Sequence, residues 1–124
     1  MMNTAIWIAQ ILVALVFIGS GLSKLAQPYE KLAAQMGYVN DFTPGAIRAI
    51  GVWEVLGGIG VVLPAWTGIL PWLTPLAAGG LAVNMGGAIS THMRRREVPM
   101  ILFNLVLLGL AMFVVYGRMA AVPI

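Results

Sequence analysis

Four stretches of the chain run almost free of charge: residues 5–25, 45–63, 70–90 and 98–116. Each has about the 20 residues that a helix, rising about 1.5 Å per residue, needs to cross about 30 Å of hydrocarbon. Their Leu, Ala, Gly, Val and Met lack the alternation of a barrel strand, and the runs are too long for buried soluble strands. The pattern therefore predicts four membrane-spanning helices. Short joining segments at 64–69 and 91–97 favour antiparallel neighbours. The expected fold is all-α, an integral membrane antiparallel four-helix bundle forming a single transmembrane domain over residues 1–124. Only the joining segment 26–44 has room for further structure, a short interfacial helix over 29–36 ended by Gly37.

Composition agrees with that class. Of 124 residues, 60% are hydrophobic and 9% are charged, whereas a soluble domain carries about a quarter charged residues. The first apolar run has no Lys or Arg before Lys24 and no clear small-x-small cleavage site that introduces a polar mature sequence, so it is expected to be a retained first helix. With no cysteine, thiol chemistry and thiolate metal sites are excluded for the chain alone. One histidine and four acidic residues, scattered over different segments, make no persuasive metal site, and neither a glycine-rich nucleotide loop nor a Ser-His-Asp arrangement is evident.

The charges also orient the helices. Lys24, Lys31 and Arg48 flank the first connection, Arg94, Arg95 and Arg96 occupy the third, and the second has none. The positive-inside rule puts the first and third connections in the cytoplasm and both termini outside, with Arg118 as the opposing charge. Trp7, Trp66, Trp72 and Tyr116 then fall near the opposite face as an interfacial belt. The triple arginine suits anionic lipid headgroups, and no nucleic-acid partner is implied.

Membrane helices associate through small residues and polar contacts, because lipid solvates leucine well. Ala78, Ala82, Gly86 and Ser90 recur every four residues in the third segment, and Gly51 and Gly58 recur at seven, beside Gly57 and Gly60, in the second. Both sets read as packing faces. Pro71 and Pro75 are expected to bend the start of the third segment or its lead-in.

Glu54, near the middle of the second segment, is costly to expose to lipid and should face the interior, either protonated or paired with a cation. Lys24 can snorkel to the headgroups or turn inward toward Glu54, and Arg48 competes for both roles. Asn84 and Asn104 each lie roughly 10 Å in from the third connection at helical rise, a depth close to that of Glu54. Two readings stand side by side: interhelical polar glue, or a cytoplasm-facing polar pocket with an ionisable floor. His92 sits at the mouth of that half, where a solvated interfacial histidine competes with a proton-transfer role.

The runs Gly19-Ser20-Gly21-Leu22-Ser23-Lys24-Leu25 and Gly51-Val52-Trp53-Glu54-Val55-Leu56-Gly57-Gly58, with the stretch 82–92 followed by a charged turn and Pro99, carry a likeness over nearly the whole chain. In them the sequence resembles the DoxX-like family of small bacterial membrane proteins, within the DoxX and DoxD group. The resemblance implies four membrane helices and a bacterial inner-membrane location. It points to Lys24, Glu54, Asn84, His92 and Asn104 as the family's polar positions, and some relatives are named as partners in quinone-linked sulfur oxidation. The expected function is an accessory membrane protein that binds a hydrophobic small molecule, lipid or quinone and supports a membrane redox complex. The alternatives are a membrane-embedded acid/base enzyme with Glu54 at its centre, and a structural assembly subunit. Partners would be membrane lipid, such a ligand, and a membrane protein or a second copy of the chain.

Overall fold

Prolines and polar caps set the helix ends in the computed structural model, which describes residues 2–121. Among them the chain is all-helical, with no strand. Helix α1 (Met2–Ala26) stops ahead of Pro28, which caps the short α2 (Tyr29–Gln35) from an extended conformation, as expected for a residue that cannot continue a preceding helix. A 3-10 turn over Gly37–Asp41 follows. Helix α3 (Pro44–Thr67) opens on Thr43, whose Oγ1 accepts from the Ala46 amide at 3.1 Å, with Pro44 in the first turn. It closes on Gly68 in the left-handed region, where the missing Cβ removes the steric cost. Helices α4 (Leu73–Arg94) and α5 (Val98–Tyr116) follow, and a π-helical turn over Gly117–Ala121 extends α5.

Four boundaries differ from the sequence expectation. The second apolar segment does not end before Pro64, because α3 runs through it to Thr67. Pro64 deprives only the carbonyl one turn back, while the Gly68 amide bonds Pro64 O at 3.0 Å and Thr67 Oγ1 bonds Leu63 O at 2.8 Å. Pro71 lies outside α4 and Pro75 in its first turn, where a missing amide hydrogen has no partner to lose. Neither proline needs to bend the helix. At the far end α4 continues to Arg94, so His92 belongs to its last turn, and the reversal is confined to Arg95, Arg96 and Glu97. Likewise α2 is ended by an extended Met36, and Gly37 begins the next turn.

Helix α1 packs against α3 and α5, and α4 packs against the same two. Phe17, Val61, Leu81, Met85 and Leu107 form the centre of the shared core. Helices α1 and α3 meet backbone to backbone. A Cβ on Gly21 would come within 2.6 Å of the Gly51 carbonyl oxygen, and one on Gly51 within 3.0 Å of Gly21 O and of Lys24 Cβ. Gly57 and Gly60 do the same against Leu81 and Ala77 of α4.

The four-residue stripe expected on the third segment does not form one packing face. Ala78 is buried, but Gly86 and Ser90 are exposed, and a Cβ on Gly86 would meet nothing. Each step of four advances about 40° around a helix of 3.6 residues per turn, so the stripe leaves the interface. Thr74, Ala78, Leu81 and Met85, at mixed spacings of three and four, stay in it.

Large apolar side chains cover the outside, among them Leu15, Leu56, Leu76, Val83 and Val106. Helices α1, α3, and α5 with its extension are long and apolar enough to cross a membrane.

Candidate functional site

The glycine contact between α1 and α3 brings the first two polar residues together. Lys24 ends α1 four residues after Ser20, on the same face, and Glu54 lies on α3 one turn beyond Gly51. Lys24 Nζ lies 2.8 Å from Glu54 Oε1, with both residues 4% exposed. Ser20 completes a triad. Its Oγ accepts from Lys24 Nζ at 2.7 Å and faces both carboxylate oxygens of Glu54 at 3.2 and 3.3 Å. Of the two courses open to Lys24, the inward one is taken, and Arg48 instead donates to the Lys24 backbone carbonyl.

A cavity of about 470 Å³ lies beside the triad and reaches α4 and α5. Lys24, Glu54, Asn84, His92 and Asn104 all line it, with Ser20, Thr91 and Arg94 as further polar contributors. Phe17, Trp53, Met85 and Leu107 supply apolar wall, and Met36 and Phe42 close in from the segment between α1 and α3. That segment is held by a small core of Leu32, Val39 and Ile47, and by Tyr29, whose hydroxyl donates to Val39 O and Phe42 O at 3.1 and 2.6 Å.

The five residues differ in how they are satisfied. His92 is not the solvated interfacial histidine of one sequence reading. It is 3% exposed, and its Nδ1 lies 2.8 Å from Glu97 Oε1, because α4 carries it inward on one more helical turn. Asn84 and Asn104 project from α4 and α5, and their Nδ2 atoms are buried without a hydrogen-bond partner among the described residues. A buried amide donor left in that state costs about 1–3 kcal/mol.

Ser20, Trp53 and Glu97 are among the contributors outside the five predicted residues. Ser20 was legible in principle from its four-residue spacing to Lys24. Trp53, whose Nε1 donates to Gly80 O at 3.1 Å, sits beside Glu54 in sequence, where a tryptophan reads as lipid-facing. Glu97 follows His92 by five residues across a helix end, a spacing that predicts no contact. Among the described residues no three His, Cys, Asp or Glu side chains cluster as metal ligands.

A second polar group occupies the opposite end. Arg118 Nε donates to Gln10 Oε1 at 2.7 Å and Nη1 to Asn3 Oδ1 at 2.8 Å, with the guanidinium 5.3 Å from the centre of the Trp7 ring. Gln10 in turn donates to Val61 O at 2.7 Å. This charge is buried against α1.

The pattern that defines the DoxX-like family matches residues 8–114, a span containing every residue that lines the cavity. No curated protein and no solved structure matches the chain.

Proposed function

The chain belongs to the DoxX-like family, and from that premise we propose that it crosses a bacterial cytoplasmic membrane four times and holds a small hydrophobic molecule, a lipid or a quinone, as an accessory to a membrane redox complex. The observation that carries the reading is the cavity, with apolar walls from four helices and a polar floor already neutralised by the Lys24–Glu54 pair. Its size lies in the range of about 300–1,000 Å³ typical of small-molecule sites.

Three helices have the length and apolarity to cross. We assign the fourth crossing to α4, which lies between α3 and α5 and is diluted by Asn84, Ser90, Thr91 and His92, all of them facing the cavity. The orientation with termini outside gains support from Arg118, whose guanidinium is absorbed by Gln10, Asn3 and Trp7 and so counts little as a loop charge. Glu54 is better suited to holding the floor than to acid/base chemistry, because its carboxylate is bound by both Lys24 and Ser20.

Gly87 provides the test. It lines the cavity, and a Cβ there would meet nothing within 4 Å, so Gly87→Leu adds bulk at the cavity wall from a Cβ that enters open space. Native mass spectrometry after mild extraction is expected to find a small molecule on the wild type and none on the variant, with no loss of thermal stability. Equal occupancy in both proteins, or bulk lipid alone on the wild type, would overturn the reading.

A further inference from the structure

Resting on the ligand-binding reading above, we infer that the cavity selects an uncharged amphiphile whose head presents acceptor oxygens, of the ester or ketone class, to Asn84 and Asn104. The full charges on the floor are occupied with each other: Lys24 Nζ is on Glu54 and Ser20. Among the described residues that line the cavity, the buried side-chain atoms still lacking a partner are the two amide Nδ2 atoms. Both are donors only, and Asn104 is 4% exposed. They come from different helices into one cavity, and a carbonyl or ester oxygen there satisfies them without bringing in a charge.

A charged head is disfavoured by position. An anion would add an uncompensated charge beside a neutralised pair, at a steep desolvation cost. Arg94 lines the same cavity, but it lies ten residues along α4 from Asn84, about 15 Å between backbone positions at helical rise, and donates to Thr91 Oγ1. Pure hydrocarbon would suit Phe17, Met85 and Leu107 but would leave both amides unsatisfied.

The chain contains four asparagines, Asn3, Asn40, Asn84 and Asn104, so selective 15N labelling reports each side-chain amide in one spectrum. The full-length protein in detergent is titrated with methyl laurate, dodecane and laurate. Methyl laurate is expected to shift the Asn84 and Asn104 amide protons downfield and saturably, leaving Asn3 and Asn40 in place. Asn84→Leu and Asn104→Leu are each expected to weaken methyl laurate roughly five- to tenfold, the loss of one hydrogen bond, with dodecane unaffected. Equal amide shifts from dodecane, or tighter binding of laurate than of its ester, would overturn the acceptor-head assignment while leaving the cavity a ligand site. No saturable binding of any of the three would overturn the underlying reading as well.

Discussion

Lys24 and Glu54 illustrate how far one residue depends on another. Either charge alone in this interior would be uncompensated, and breaking a buried pair by removing one partner costs about 3–5 kcal/mol. Lys24→Met and Glu54→Met are each expected to lose about that much in reversible unfolding, whereas the double variant should recover most of it, because two apolar side chains leave no buried charge. Additive losses would mean that the two residues are not coupled. The asparagines follow different logic. Polar glue would have them bonded across helices, and the glue here is the Lys24–Ser20–Glu54 triad, while the amide donors of Asn84 and Asn104 face the cavity unpartnered.

Helix contacts depend on which glycines lie at an interface, and sequence spacing is a poor guide to that. Gly21 meets the backbone of α3, which cannot yield as a flexible side chain would. Gly21→Ala is therefore expected to push α1 from α3 and destabilise the protein by about 1–3 kcal/mol, the usual cost of overpacking. Gly86 sits exposed in mid-helix with open space around it, and Gly86→Ala should stabilise by about 0.5–1 kcal/mol through the helix preference of alanine. Thermal unfolding of the two variants checks both signs. The same contrast explains the failed stripe on α4. Small residues at strict four-residue spacing drift around the helix, and only those that coincide with the curve of the neighbouring helix remain in contact.

At the scale of the whole molecule, the basic connections lie at one end. A Cβ on Gly37 would touch the Arg95 guanidinium, which joins the first connection to the third, while Asn3 and Arg118 join the two ends of the chain at the other. Since the chain has no native cysteine, single replacements report sidedness directly. Lys31→Cys and Arg96→Cys are expected to react with an impermeant maleimide only in inside-out vesicles, and Ile69→Cys only in right-side-out ones. Labelling of Ile69→Cys and Arg96→Cys from the same side would exclude a crossing by α4.

The sequence by itself determined the helical class, the three long apolar helices α1, α3 and α5 and the short helix after the first of them, because these follow from local composition and from prolines and caps within a few residues. It also singled out Lys24, Glu54, Asn84, His92 and Asn104, since polar groups stand out against an apolar background. Tertiary structure decided what each of them touches. Whether Lys24 snorkels or turns inward depends on how closely Gly21 and Gly51 let two helices approach. Whether His92 is solvated depends on one further turn of α4 and on Glu97 across its end. Whether an asparagine is glue or a ligand contact depends on the rotation of α4 and α5 about their axes. A nearly uniform apolar sequence leaves that rotation undetermined, because every face of such a helix is equally acceptable to lipid.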